Sequence, residues 1–333
     1  MLKTCESIII SVGSHHRPKT IKNPWSSQER IEMIKDVLLH EYNPEVFEDK
    51  GWTDKPHPTI LSRVKFQQVR DYMYNDTKWA AETYSKALMN GATSDTNTCL
   101  FGHFKDDSSY YLNMYPQWDL HTVPNFFNID ATRVRKEMFE DKYISDETSE
   151  KIHGRTYEDI TAWINTEHGD RLRDEYHFLQ DYKAGFAALP YPPTFVTTDN
   201  VVVKSGHILL IKRKCNPGKG LWALPGGFLD QGEKIQAGAI RELKEETKIK
   251  VHKNELEKMM IDTKIFDHPL RSLRGRTITH AHLYDLGYGP LPDVKGGDDA
   301  AGAFWIPLAD AHKMEHEMFE DHYDIVVNMT SRF

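Results

Sequence analysis

Cysteine is nearly missing: Cys5, Cys99 and Cys215 are the only three thiols in 333 residues. Their wide scatter excludes a disulfide framework and a zinc knuckle, and makes a reducing cytoplasm the expected compartment. Long apolar runs are missing too. "IIISV" at 8–12 and "ILLI" at 208–211 fall far short of the roughly 20 residues that cross a bilayer. No basic start followed by an apolar stretch marks a secretory leader. An excess of positive charge is also lacking. The formal net charge is −8, so no general field draws the chain to nucleic acid or an anionic membrane, and neither is expected as a partner. Any phosphate-bearing ligand must be held by local Arg, Lys or metal. There is no internal repeat and no low-complexity segment.

What is present suits a soluble globular protein of two domains: hydrophobic residues make up 39% and charged residues 28%, over a length that prior experience divides in two. The joint is "ALPYPPTF" at 188–195, where three prolines break a helical stretch. The expected domains are 1–185 and 186–333. In the second, "FVTTDNVVVKSGHILLIKRK" reads as two strands turning at Ser205–Gly206. "KIQAGAIRELKEET" spaces Ile235, Ala239 and Leu243 as a helical stripe, "RTITHAHLYDL" is a strand and "FEDHYDIVVNM" a closing helix. The sum is α+β. In the first, "SIIISVGS" reads as a buried parallel strand and "PWSSQERIEMIKDVLLHEY" as a helix with Ser27 as N-cap. "TNTCLFGHF" reads as another short strand. That alternation predicts a doubly wound α/β sheet.

The stretch "GAIRELKEET" concentrates Glu242, Glu245 and Glu246. At about 100° per residue they share an arc of roughly 100° beside the apolar stripe. A bare cluster at the edge of a buried face would raise its own pKa values and cost stability. A solvated acidic face is the bland reading; a hard divalent cation such as Mg²⁺ is the chemical one, because it takes oxygen ligands together with substrate phosphates.

The longer stretch decides between them. In "LPGGFLDQGEKIQAGAIRELKEET", Gly227 is followed after five residues by Glu233, then after seven by Arg241-Glu242-Leu243 and, one residue on, Glu245-Glu246. This resembles the Nudix box of hydrolases that cleave nucleoside diphosphates linked to another moiety. The resemblance implies that Glu242, Glu245 and Glu246 bind Mg²⁺ or Mn²⁺. It further implies that Arg241 and Glu233 brace the loop and helix as a salt bridge, and that a metal-activated water attacks phosphorus. One position departs: Lys248 stands where the pattern has Gly, so it either extends the helix or adopts a strained left-handed cap. Asp298 and Asp299 in "KGGDDA" are candidates for a general base, although paired Asp after Gly-Gly is equally a turn.

Arg271, Arg274 and Arg276 in "DHPLRSLRGRTITH" offer forked guanidinium groups suited to phosphate. With "LPYPPTFVT", "GLWALPGGF" and "FEDHYDI", this segment is similar to the ADP-ribose pyrophosphatases, which implies hydrolysis of ADP-ribose to AMP and ribose 5-phosphate. Trp222 and Phe228 are the candidates to stack adenine, against a plain core-packing role for each. His312 and His316 have zinc-compatible spacing but no third ligand in sequence, which favours a surface helix.

The first half, over about 10–140, resembles the nicotinamide-nucleotide adenylyltransferases found fused to Nudix domains. The residues that carry this are "VGSHHRPKTIKNPWSSQER", "GHFKDDSSYYLNMYPQW" and "FNIDATRVR". The resemblance implies that Thr132 and Arg135, at a helix N-terminus, hold ATP phosphates, that Trp118 stacks nicotinamide and that Asn23 lies near the nucleotide. Asp130 replaces the family's Ser, and would repel phosphate unless it caps the helix. The family's opening His-x-Gly-His turn has no counterpart. "MLKTCESIIISVGS" aligns with the end of a first helix and the second strand, so the doubly wound sheet is expected to be short in its middle. Nucleotides are therefore the expected partners: ADP-ribose, and nicotinamide mononucleotide with ATP. The readings are a Mg²⁺-dependent hydrolase joined to an adenylyltransferase-like domain, an enzyme with both activities, and a non-catalytic ADP-ribose-sensing regulator. Retention of all the glutamates disfavours the last.

Overall fold

The computed structural model describes residues 5–41, 60–95 and 97–333, and the chain divides into two compact units, Met1–Arg173 and Asp174–Phe333. Met1–Thr4 and Tyr42, read above as helical, lie outside the described residues. No described helix is long and apolar enough to cross a membrane.

The first unit alternates strand and helix. Strand β1 (Ile8–His15) leads to helix α1 (Ser27–Glu41), β2 (Val64–Arg70), α2 (Asp76–Met89), β3 (Cys99–Gly102) and β4 (Asp119–Thr122). Helices α3 (Ala131–Glu140) and α4 (Gly154–Ile164) follow, and the division between the units falls within α5 (Glu167–Ala184). β1 runs parallel to β2 with Ile8 opposite Val64, and β3 runs parallel to β4 with Cys99 opposite Asp119. Parallel strands need crossovers, and the helices supply them. Among the described residues the strands form two separate pairs, not one continuous sheet. β1 is consequently half-buried rather than buried, with Val12 its one buried side chain. The cap of α1 lies one residue earlier than expected. Ser26 Oγ accepts from the Glu29 N–H while the Glu29 carboxylate accepts from the Ser26 N–H at 2.7 Å, a reciprocal capping box. Ser27 instead turns its hydroxyl to His15 Nδ1, 2.9 Å away.

The second unit is built on a mixed sheet. Its strands are β5 (Thr194–Lys204), β6 (His207–Arg213), β7 (Trp222–Ala223), β8 (Gly226–Phe228), β9 (Met260–Phe266), β10 (Arg276–Asp285) and β11 (Ala300–Pro307). The main path is β11-β6-β5-β10-β9, with β7 on β6 and β8 on β5. β5 and β6 turn through Ser205 and Gly206, both at positive φ, which matches the right-handed twist of a tight hairpin. β5 also pairs in parallel with β10 from Arg276↔Thr194 to Asp285↔Val203. Helices α6 (Ile235–Thr247), α7 (Lys253–Met259) and α8 (His322–Met329) complete the unit. Ala239 and Leu243 of α6 are fully buried, with Ile240 nearly so, and Ile240 and Leu243 join a core containing Val202, Leu209, Ile211 and Tyr284. Each large aliphatic side chain buried there contributes about 1.5–3 kcal/mol. Ile235, the third residue of the expected stripe, is only half-buried because it opens the helix.

Candidate active site

Burying one face of α6 leaves its edge facing β8 and the turn after it. Asn200 of β5 donates from Nδ2 to Pro225 O and Ala239 O, both at 3.0 Å, and so ties turn and helix to the sheet. Two glycines allow the approach. A Cβ on Gly226 would sit 2.0 Å from Thr198 O, and one on Gly227 would lie 2.7 Å from the Glu242 carboxyl carbon. No other residue type fits either place without displacing backbone or carboxylate.

Arg241 organises the acids around it. Its Nη2 donates to Glu233 at 2.9 Å and to Phe228 O at 3.2 Å, and its Nε also reaches Glu233. Its Nη1 donates to Glu242 at 2.8 Å and to Glu245 at 3.0 Å. The expected Arg241–Glu233 bridge is thus part of a larger fork, suited to the fixed geometry of guanidinium. Hydrogen bonding to Arg241 draws Glu233 below the usual carboxylate range. Glu242 moves the other way: burial raises it despite Arg241, and the charges of Glu245 and Asp298 add to the rise.

Glu246 has no ion pair within 4.0 Å among the described residues, although the Arg213 charge acts on it. It is 5% exposed, and its Oε2 accepts from the Gly226 N–H at 2.8 Å. Burial pushes its pKa up to about 8, with Glu242 adding to the rise. Arg241 alone bonds three of these carboxylates, and Glu242 and Glu246 hold theirs at the buried edge of the helix. Carboxylate oxygens are the donor type that hard divalent cations take. The end of α6 is covered by the segment around Gly297, whose N–H donates to Glu246 O at 3.0 Å. Of the two candidate bases, Asp298 acts electrostatically on Glu242, whereas Asp299 acts on Arg213.

The three arginines downstream separate. Arg271 is 4% exposed and gives both Nε and Nη2 to the Asp321 carboxylate at 2.9 Å. Burial alone would lower its pKa, but Asp321 and Asp199 outweigh that and raise it. It is a core cation, not a free phosphate ligand, which corrects the expectation for this residue. Arg276 lies near Asp267, donating to that residue's backbone oxygen. Arg274 has no ion pair within 4.0 Å among the described residues and lies over the Phe228 ring, 5.0 Å from its centroid. Phe228 also meets Phe195 at 5.6 Å, while Trp222 packs under Lys212 and against Phe304. Trp222 and Phe228 therefore belong to different clusters and do not sandwich one base. Arg213, half-buried and lowered in pKa by burial and by Arg274, was not foreseen, nor were the buried Asp199 and the half-buried Glu320. No local spacing marks them; the fold alone brings them together.

In the first unit, Asp130 caps α3, its Oδ1 accepting from the Thr132 and Arg133 N–H groups at 2.8 and 2.9 Å. Arg135 reaches back to Thr132 Oγ1 at 3.5 Å. Trp118 is buried, stacked on Tyr115 at 5.4 Å, with its Nε1 donating to Thr93 O at 2.7 Å. It is thus held as a core residue rather than as an open stacking platform. Asn23 closes a turn with Thr20. His312 bonds Thr330 Oγ1 at 2.9 Å and His316 is exposed beside Glu317, so the pair forms no zinc site.

The chain is similar to several known proteins. The NUDIX domain profile matches residues 194–328. A bifunctional NMN adenylyltransferase/ADP ribose pyrophosphatase from Francisella tularensis, solved with AMP and a manganese ion, superposes with TM-score 0.85 at 33% identity over 99% of this chain and 92% of that one. An ADP-ribose pyrophosphatase of Methanocaldococcus jannaschii is 37% identical over 130 residues, which is 38% of this chain and 72% of its own length. A nicotinamide/nicotinic acid mononucleotide adenylyltransferase of Acinetobacter baylyi is 32% identical over 145 residues, 43% of this chain and 66% of its own.

Proposed function

The chain belongs to the family of bifunctional NMN adenylyltransferase/ADP-ribose pyrophosphatases, and on that premise we propose that its second unit hydrolyses ADP-ribose to AMP and ribose 5-phosphate. It is a Nudix hydrolase. The reading is carried by one observation: Arg241 holds Glu242 and Glu245 on one helix edge, while Glu246 on the same helix is buried and bonded to the Gly226 N–H of the facing turn. These three would hold Mg²⁺ or Mn²⁺. The chemistry such a cation supplies when bound is neutralisation of pyrophosphate charge and a more acidic water.

The protein's own groups hold that arrangement in place. Arg241 fixes the direction of Glu242 and Glu245, Glu233 anchors Arg241 to the turn, and the Gly226 N–H aims Glu246. Preset geometry of this kind avoids reorganisation during reaction. Arg274 is the guanidinium placed to meet substrate phosphate, and Asp298 the carboxylate placed to accept a proton near Glu242. Nucleotides in the cytoplasm are the matching partners.

The first unit is read as adenylyltransferase-like but without adenylyl transfer in this arrangement. Trp118 has its ring covered by Tyr115, and Asp130 places a carboxylate on the helix N-terminus where phosphate would bind. The test is a product assay on the purified chain with Mg²⁺. ADP-ribose should yield AMP and ribose 5-phosphate, and ATP with nicotinamide mononucleotide should yield no NAD. Absence of AMP would overturn the first statement, and NAD formation the second.

A further inference from the structure

Away from the glutamates, the first unit brings two histidines and a carboxylate to one point. His40 and Glu41 close α1, and His153 is the N-cap of α4. One donor atom from each lies within 4.8 Å of the others. His153 Nε2 is 3.0 Å from Glu41 Oε1, and the His40 and His153 rings meet edge to face with centroids 5.2 Å apart. His40 Nδ1 is buried with no hydrogen-bond partner. A buried polar atom left unsatisfied is costly to keep.

We propose that His40, Glu41 and His153 form a structural site for a divalent transition-metal cation of the zinc class, with water completing the coordination. Two imidazoles and one carboxylate are borderline donors, unlike the all-oxygen cradle on α6. The partial negative charge at the C-terminus of α1 favours a cation there. Asp36, one turn earlier on α1, lies 3.6 Å from Arg155 Nε, so that carboxylate is already matched.

Binding has a defined cost. The Arg155 N–H donates to His153 Nδ1 at 3.2 Å, which leaves the ring proton on Nε2, facing Glu41. Ligation through Nε2 moves that proton to Nδ1 and breaks the cap. Cations with strong imidazole affinity, Zn²⁺ and Ni²⁺ among them, overcome it, whereas Mg²⁺ does not. The bound ion would then cross-link the end of α1 to the start of α4.

The test is calorimetric titration of the chelator-treated full chain with Zn²⁺ in excess Mg²⁺, which saturates the glutamates. One Zn²⁺ equivalent should bind, and His40→Gln and His153→Asn should each weaken it by at least about tenfold. His153→Asn keeps an N-cap acceptor and therefore the helix. ADP-ribose hydrolysis in Mg²⁺ alone should be unchanged in both variants, which separates this site from the hydrolytic one. No Zn²⁺ uptake by the parent chain, or equal uptake by both folded variants, overturns the proposal.

Discussion

Arg271 and Asp321 face each other as a two-point ion pair, 2.9 Å at both contacts, with side chains 3% and 0% exposed. Removing one partner strands the other charge in a dry interior. Arg271→Ala should therefore destabilise the protein by about 3–5 kcal/mol. Arg274→Ala, three residues on, should leave stability within about 1 kcal/mol while raising KM for ADP-ribose. Urea unfolding and steady-state kinetics on both variants check this. A stable Arg271→Ala with a raised KM would reverse the two assignments.

Lys248 ends α6 at φ 49 and ψ 27, the left-handed region. Of the two outcomes open from the sequence, the helix stops and the residue bears the strain. A left-handed non-glycine residue costs about 1–2 kcal/mol, and the extra chain entropy of glycine takes back about 0.5–1. Lys248→Gly should therefore raise stability by about 0.5–1 kcal/mol, read as a higher Tm, with hydrolysis unchanged. A lower Tm would mean that the Lys248 stem's contact with Gly297 outweighs the strain.

His322 is buried with Nδ1 accepting from the Leu224 N–H at 3.0 Å, and burial lowers its pKa to about 3. Asp321 and Asp199 oppose that shift, while Arg271, Arg213 and Arg274 reinforce it. The folded state thus refuses a proton that the unfolded chain takes up near pH 6.5. Its stabilising contribution is complete above that pH and is lost as pH falls towards 3, at up to about 1.4 kcal/mol per pH unit. His322→Asn keeps an acceptor and removes the titration, so its stability should fall less steeply between pH 6.5 and 4. Parallel slopes for the two proteins would refute this.

The carboxylate cluster was legible because its members sit on one helix and its turn. Helical periodicity put Glu242, Glu245 and Glu246 together, and the resemblance to the Nudix box implied the Glu233–Arg241 bridge beside them. Arg271 was not legible as a core cation, since its partner Asp321 lies 50 residues away. Trp118 was not legible as a covered ring, because Tyr84 of α2 packs against it together with the nearby Tyr115. Arg213 carries no local pattern at all. The hairpin at Ser205–Gly206 could be read from adjacent residues, but the parallel β5–β10 pairing joins segments that only the closed sheet makes neighbours.

The most direct test of the central claim is Mn²⁺ binding and ADP-ribose turnover by Glu246→Gln. Glutamine preserves the acceptor for the Gly226 N–H and removes a buried carboxylate, so the metal-free fold should be at least as stable as the parent. Mn²⁺ affinity in the presence of AMP should fall together with turnover, each by more than about a hundredfold. Parental affinity and full turnover in the variant would contradict the account.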